Sequence, residues 1–383
     1  MPYQNVSMLY FHIPFCKQAC HYCDFHFSTS LAYKDDLLKA IGKEMDLRAD
    51  YLENKSIESV YFGGGTPSLL TADEINRIFE KIHQHFQLTD DAEITLEANP
   101  DDLDDAKLTA LAQTPINRLS IGIQSFHQED LLWMNRAHNA MEADAAIKRA
   151  QDKGFENLTC DLIYGYPLLT DEKWKRNMQK LIALQVPHIS SYSMTVESRT
   201  ALAHQIIKGK TQAMSDEQSA RQMMQLIDTL QEAGYEQYEI SNFALDQRYA
   251  AHNSNYWRGV PYLGIGPSAH SFNGHSRSWN RANNPGYIEA INQNEPDLET
   301  ESLTPSDRFN EYVMTSLRTK WGIKLSHISS VFGKDTVDEL LLNIAPHVQH
   351  GHVTQQKDIY TLSQSGKLLA DQIASDLFLL TEE

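Results

Sequence analysis

Three cysteines lie within eight residues near the start of the chain, and they constrain its fold and chemistry more than any other feature. Cys16, Cys20 and Cys23 have the spacing C-x3-C-x2-C and follow an apolar run at 8–13 that predicts a buried β-strand. The sequence holds one further cysteine, Cys160. Three soft thiolates suit an iron–sulfur cluster better than a structural zinc ion, which usually takes four protein ligands. On a four-iron cluster they would leave one iron open to a small molecule.

Two simpler explanations of these cysteines are open at this point. A zinc knuckle needs a fourth ligand, and His12, His21 and His26 lie near enough in the sequence to supply it. Alternatively, the thiols are core residues, since free cysteine is among the most buried residue types. Motifs further along the chain decide among these interpretations.

Composition argues against several classes of partner. The formal charge is −18 and no basic stretch occurs, whereas phosphate backbones are held by clustered Lys and Arg, so we expect no nucleic-acid partner. No apolar run approaches the roughly 18 residues of a transmembrane helix, and the first residues do not resemble a signal peptide. The three cysteines are too closely spaced for a disulfide framework, and free thiols are typical of a reducing compartment. We therefore expect a cytoplasmic protein.

Strand and helix patterns alternate over the first half of the chain. β-Branched and apolar runs predict six strands, with helical spacing between them. Such alternation is typical of parallel βαβ units. We predict an α/β fold, an open or partial (β/α)6 TIM-like barrel with functional residues at the carboxyl ends of its strands. The predicted strands are 8–13, 57–62, 93–97, 118–123, 158–164 and 188–194.

The rest of the chain divides into two regions, which gives predicted domains at 1–240, 241–300 and 301–383. The middle region is rich in Gly, Asn and aromatic residues and contains HNSNYW at 252–257. Its weak periodicity predicts an irregular connecting region that is too aromatic to be disordered. The last region shows helical patterns and a polar hairpin near 352–362, which predict a small, mainly helical, winged-helix-like domain. In so acidic a chain, packing or contact with a partner protein is a better interpretation of this domain than DNA binding.

Several motifs in order point to one family. The cysteine loop and the run Gly63-Gly64-Gly65-Thr66-Pro67 after the second strand resemble the radical S-adenosylmethionine (SAM) superfamily, in which SAM binds the open iron of a [4Fe–4S] cluster. A triple glycine alone is a weak signal, because tight turns also use it. Further stretches resemble the oxygen-independent coproporphyrinogen oxidase-like (HemN-like) branch, and within it the haem chaperones. They include FHIPFCKQACHYCDF, VYFGGGTPS, ITLEANP, RLSIGIQSF, DLIYGYP, HNSNYWRG and YLGIGPSAHS.

This resemblance implies a radical SAM barrel and a set of site residues. Cys16, Cys20 and Cys23 would bind the [4Fe–4S] cluster, which cleaves SAM to a 5′-deoxyadenosyl radical, so the cofactors and not side chains carry the chemistry. Asn135 stands where relatives commonly have glycine, which bears on the local backbone. The residues implied for SAM, with Tyr22 beside the cluster, are Tyr10, Tyr22, Gly64, Gly65, Thr66, Glu97, Gln124, Arg136 and Asp161.

Position 25 and the HNSNYW segment bear on function. HemN-type oxidases carry a fourth cysteine where this chain has Phe25, which groups it with the haem chaperones. The resemblance implies haem contacts by His252, Tyr256 and Trp257, with His252 as the candidate iron ligand. An aromatic cluster capping the barrel mouth is an equally good interpretation. We predict a chaperone that binds haem and transfers it to acceptor proteins; the alternative is an oxygen-independent coproporphyrinogen III oxidase.

Overall fold

A computed structural model describes residues 6–379, and a single large sheet organises most of them. Its strands are β1 (Ser7–Ile13), β2 (Ser56–Gly64), β3 (Gln87–Ala98), β4 (Arg118–Gln124), β5 (Asn157–Tyr164), β6 (His188–Ser193), β7 (Glu236–Glu239), β8 (Asn242–Ala244), β9 (Tyr262–Ile265), β10 (His270–Phe272), β11 (Ser276–Asn280) and β12 (Leu298–Ser302). The strand order is 12-11-10-9-1-2-3-4-5-6-8-7. Strands β1 to β6 are parallel and β9 joins β1 in parallel, while β8 and β10 to β12 pair antiparallel. Since this order runs from one edge to another, the barrel is open, and the predicted fold class is confirmed.

Helices cover the outer side of the sheet and form most of the last eighty residues. Local sequence signals mark where some helices begin. Thr71 and Glu74 form a capping box, in which the Glu74 N–H donates to Thr71 Oγ1 at 3.2 Å. The helices are α1 (Lys34–Leu47), α2 (Ala72–His85), α3 (Asp105–Leu111), α4 (Gln128–Trp133), α5 (Ala140–Asp152), α6 (Asp171–Ala183), α7 (Ala201–Ile207), α8 (Asp216–Glu232), α9 (Ala251–Trp257), α10 (Asn284–Asn292), α11 (Pro305–Leu317), α12 (Leu325–Val331), α13 (Lys334–Gln349), α14 (Gln364–Lys367) and α15 (Ala370–Asp376). Within residues 6–379, none of them is long and apolar enough to cross a membrane.

The two faces of the sheet differ in chemistry because successive strand residues point to opposite sides. Phe62 of β2 lies on the helix side, where its ring centroid is 5.9 Å from that of Phe79 in α2. The neighbouring Tyr61 lies on the inner side, where its ring stacks on Tyr10 of β1 with centroids 6.2 Å apart. Apolar packing therefore holds the helices outside, and polar groups line the interior.

The segment 241–300 is more regular than the sequence predicts, since β8 to β12, α9 and α10 lie in it or overlap it, and its strands extend the large sheet. These strands are three to five residues long, too short to show a clear period. Gly264 permits close packing in this segment, because a Cβ there would collide with the carbonyl oxygen of His270. The three-way division of the chain into domains stays a prediction.

Residues beyond 303 have a hydrophobic core of their own, centred on Phe309, Val313, Ile328 and Ile344. Strands β13 (Ile323–Lys324), β14 (Val353–Gln356) and β15 (Ile359–Leu362) form a small antiparallel sheet in the order 13-15-14 beside the helices. This helical unit with a small hairpin agrees with the predicted C-terminal fold.

Candidate functional site

The residues predicted from the strand ends do come together in the open barrel. Tyr61 and Glu97 are joined by a hydrogen bond of 2.7 Å from the tyrosine hydroxyl. In the strand register, Tyr10 lies beside Tyr61, and Gly122 lies beside Asp161. Residues distant in the sequence thus line one interior, as expected for parallel strands that share a carboxyl end.

The cysteine loop leaves the end of β1 and is fastened at its base. The Cys16 N–H donates to the carbonyl of Ser28 at 3.0 Å, and the Ser28 N–H donates to the carbonyl of Pro14 at 2.8 Å. On the sheet side, the Thr66 hydroxyl donates to the Cys16 sulfur at 3.5 Å. Burial raises the pKa of the Cys16 thiol and raises that of Cys23 to about 11. Binding of iron here would therefore release protons.

The turn after α4 clamps the middle of this loop. Asn135 has a φ of +57°, in the left-handed region that Asn tolerates better than most residues, so glycine is not required there. Its side-chain oxygen accepts from Gln18 Nε2 at 2.7 Å, and its side-chain nitrogen donates to the carbonyl of Ala19 at 2.7 Å. Asn135 thus adopts a backbone shape that glycine would also permit, and its side chain adds two bonds to the loop. Sequence reasoning did not find this role or that of Gln18.

Arg136 connects the cysteine loop to the strand ends. One terminal nitrogen lies 3.4 Å from both the Cys20 sulfur and the Tyr22 hydroxyl. The other donates to Asn99 Oδ1 at 2.7 Å and to the Gly122 carbonyl at 2.9 Å. Burial opposes its charge, but Tyr22 and Cys20 hold the pKa of the guanidinium above its ordinary value. Its buried Nε has no hydrogen-bond partner among residues 6–379, so one charged donor is available to an anionic ligand.

The glycine run packs directly under the cysteine loop. Gly64 has a φ of +107°, and a Cβ there would lie 2.7 Å from the ring of His12. A Cβ on Gly65 would lie 2.7 Å from the carbonyl oxygen of Phe15, the residue before Cys16. Only glycine permits this approach of two backbone segments. Contact of Gly64, Gly65 and Thr66 with SAM stays a prediction.

Two enclosed carboxylates face the interior. Burial raises the pKa of Glu97 to about 7 and that of Asp161 to about 6. Each accepts from a neighbouring hydroxyl, Tyr61 at 2.7 Å for Glu97 and Ser120 at 3.3 Å for Asp161. Carboxylate oxygens with unused lone pairs suit the hydroxyls of a ribose.

Gln124 ends β4 with a φ of +64°, a conformation that few non-glycine residues adopt. Strain of this kind is concentrated at binding and catalytic sites. Its side chain is 9% exposed, so the amide is placed within the molecule rather than on its surface. Its contact with SAM stays a prediction.

The HNSNYW segment forms α9 and lies against the amino-terminal half of β2, not over the barrel mouth. His252 is 1% exposed, and its two ring nitrogens lie 2.8 Å from the Ser59 hydroxyl and 3.1 Å from the Tyr256 hydroxyl. Burial lowers the pKa of this histidine to about 3, so the ring is neutral. Trp257 is half-buried and has Arg318 5.3 Å from its ring centroid. Haem contact by these residues stays a prediction, and ligation by His252 would require one ring nitrogen to leave its hydroxyl partner.

The histidines of the zinc alternative have other partners. His12 Nε2 lies 2.9 Å from the carbonyl of His26, and His26 Nε2 lies 2.7 Å from Asn284 Oδ1. His21 Nδ1 lies 2.8 Å from the carbonyl of Trp133. The fourth thiol, Cys160, is fully buried in β5, away from the loop. These contacts favour a three-thiol site.

This set of groups fits a [4Fe–4S] cluster and SAM. Three partly buried thiols would hold the cluster, the unused Arg136 donor would meet the SAM carboxylate, and the enclosed carboxylates Glu97 and Asp161 would meet its ribose. When bound, the reduced cluster supplies the electron that cleaves SAM. The residues of the chain would bind and orient these cofactors.

Comparisons with known proteins assign the family. The model of the Radical SAM superfamily matches residues 10–181, and that of the HemN C-terminal domain matches residues 303–369. The haem chaperone HemW of Bacillus subtilis is 30% identical over 368 residues, which are 95% of this chain and 97% of that protein. The chain belongs to the HemW family of radical SAM proteins.

Other members and a solved structure agree with this assignment. HemW of Haemophilus influenzae is 31% identical over 399 aligned positions, with both chains covered completely. The structure of coproporphyrinogen III oxidase (HemN) from Escherichia coli, a radical SAM enzyme, matches with a TM-score of 0.84 and 25% identity over 99% of this chain and 91% of that one. The resemblance seen in the sequence is confirmed. As in the superfamily, the cofactors of this HemW-family chain are a [4Fe–4S] cluster and SAM.

Proposed function

We propose that the protein is a haem chaperone, which binds haem and passes it to acceptor proteins while holding a [4Fe–4S] cluster and SAM. The observation that carries this proposal is the similarity to HemW chaperones along the whole chain, at 30–31% identity. Phe25 in place of a fourth cysteine agrees with it. Three thiols suffice for the cluster, so the absence of a cysteine at position 25 does not prevent SAM binding. It distinguishes the chain from the HemN-type oxidases.

We also propose the site residues by role. Cys16, Cys20 and Cys23 bind the cluster. Arg136 pairs with the SAM carboxylate through its unused donor. Tyr10, Tyr22, Gly64, Gly65, Thr66, Glu97, Gln124 and Asp161 complete the SAM site.

Location and partners follow from the same chemistry. Thiols that bind iron need a reducing compartment, so we place the protein in the cytoplasm. Its partners are haem and haem-accepting proteins.

A second function is favoured by one observation, the close structural match to a coproporphyrinogen III oxidase over nearly the entire chain. In that case the SAM-derived radical would abstract a hydrogen atom from a propionate side chain, which would then lose CO2 and pass one electron to an external electron acceptor to form a vinyl group. The two functions differ in what happens to the porphyrin. The oxidase changes it chemically, whereas the chaperone binds haem and transfers it unchanged.

An anaerobic haem titration of the reconstituted protein, followed by absorbance, tests the proposal. We expect saturation near one haem per chain and transfer of that haem to an apo-haem protein. In a parallel assay with coproporphyrinogen III, SAM and a reductant, we expect no vinyl products. Vinyl products without saturable haem binding would reject the chaperone in favour of the oxidase.

A further inference from the structure

The HNSNYW helix is locked against the inside of the barrel. Glu93 of β3 accepts hydrogen bonds from the backbone N–H groups of Ala251 and His252, at 2.9 and 3.0 Å. Further along α9, the Asn255 side chain donates to Glu58 at 2.7 Å. If this helix swung outward, the interior carboxylate of Glu93 would lose two hydrogen bonds and keep, within residues 6–379, only its ion pair with Arg118 at 3.7 Å.

The ring of His252 supports a residue of the SAM site. It stacks on Tyr61 with ring centroids 4.9 Å apart and an angle of 27° between planes. The hydroxyl group of Tyr61 donates a hydrogen bond to Glu97 at 2.7 Å. A Cβ on Gly63 would lie 3.0 Å from the Tyr61 ring and 3.2 Å from Glu97, which leaves these two side chains little room to move. His252, Tyr61 and Glu97 therefore form one packed series that ends in the barrel interior.

We propose that His252 is a positioning residue of the SAM site: its ring holds Tyr61, and Tyr61 holds the Glu97 carboxylate. The HNSNYW segment then supports SAM binding, and haem iron is ligated elsewhere. This inference rests on the proposed SAM site but not on the proposed chaperone activity.

Iron ligation by His252 conflicts with its surroundings. The nitrogen that binds iron would have to give up its hydroxyl partner, Ser59 at 2.8 Å for Nδ1 or Tyr256 at 3.1 Å for Nε2. To reach a haem from a position that is 1% exposed, the ring would have to move. It would also have to leave the face of Tyr61. A positioning role uses all three contacts as they stand.

Two substitutions test the contribution of the His252 ring separately from that of its hydrogen bonds. His252→Phe keeps an aromatic ring against Tyr61, whereas His252→Gln keeps polar atoms and loses the ring. His275→Ala, which changes an exposed histidine in the turn between β10 and β11, serves as the control. Each full-length protein is reconstituted anaerobically, and iron content, SAM dissociation constant and haem stoichiometry are measured.

We expect His252→Gln to weaken SAM binding about tenfold, the size of one aromatic contact, and His252→Phe to stay within about twofold of the wild type. Haem stoichiometry and the Soret band should be the same in all four proteins. Loss of the wild-type Soret band in both His252 variants, with SAM binding unchanged, would overturn the inference and make His252 the iron ligand. Equal weakening of SAM binding in both variants would overturn it too, because the ring would then be irrelevant. If the wild type binds no haem at all, the chaperone proposal fails, while the SAM measurements still decide the role of His252.

Discussion

The guanidinium of Arg136 lies 3.4 Å from the sulfur of Cys20. The same side chain reaches Asn99 after β3 and Gly122 in β4, so one residue joins the cluster loop to the strand ends. Because this cation lies close to a cysteine and has one donor unused, we propose that it meets an anionic part of the ligand beside the cluster.

Replacement of Arg136 should separate SAM binding from cluster binding. We expect Arg136→Ala to weaken SAM binding at least about tenfold, because a hydrogen bond to a charged group contributes about 1.5–3 kcal/mol. Iron content should not change, since Arg136 is no iron ligand. Isothermal titration of the reconstituted variant with SAM measures the effect. Arg77→Ala, in the exposed part of α2, is the matched control, and equal SAM affinity in both variants would contradict the assignment.

The cysteines should divide into three that bind iron and one that packs. Cys20→Ala should yield almost no iron–sulfur absorbance after anaerobic reconstitution, because the cluster has no alternative thiol within the loop. Cys160→Ala, a buried thiol in β5, should retain full iron content. Iron and sulfide analysis of the two variants provides the check. Full iron in the Cys20 variant would refute its role as a ligand.

The clamp by Asn135 should protect the cluster. Asn135→Gly permits the same backbone and keeps the bond from Gln18 to the carbonyl of residue 135, but it removes the two side-chain bonds to Gln18 and Ala19. We therefore expect the cluster absorbance to decay on the order of tenfold faster in air. Asn135→Ala also introduces strain at φ +57° and should lower the free energy of unfolding by about 1 kcal/mol relative to Asn135→Gly, as urea titration measures. The control is Asn294→Gly, because Asn294 is exposed and also has a positive φ, +61°. This substitution should leave the decay of the cluster absorbance unchanged. An unchanged decay in Asn135→Gly would show that the clamp does not protect the cluster.

Glu97 should make the apo-protein less stable as pH rises. Folding raises the pKa of Glu97 from 4.5 to about 7, because burial disfavours the charged carboxylate. Between these values the folded state binds more protons than the unfolded state, so the free energy of unfolding falls with rising pH and levels off above pH 7. In Glu97→Gln this contribution should vanish. Urea unfolding from pH 4.5 to 8 tests the difference, and the exposed Glu53→Gln should follow the wild type.

Much of the candidate site could be predicted because parallel strands bring distant residues to one end. The family resemblance implies Gly64 and Gln124 as site residues, and each of them, like Cys16, comes where a predicted strand stops, so no tertiary contact is needed to place them at one end of the sheet. The orientation of α9 could not be predicted in this way. A helix of seven residues gives no clear amphipathic period, and its burial depends on Glu93, which lies 158 residues earlier. The side-chain contacts of Asn135 could not be predicted either. They depend on its positive φ, which the residue type alone does not reveal.

Strand β1, which leads into the cysteine loop, has β2 on one side and β9 on the other, with Met8 to Phe11 paired to Tyr262 to Ile265. During synthesis the cysteines emerge early, but the second neighbour of their strand emerges only after about two-thirds of the chain has been made. Until then β1 has an unpaired edge and the loop lacks part of its support. We therefore expect stable insertion of the cluster to follow translation of residue 265, and a ribosome-bound chain truncated before β9 to retain little iron.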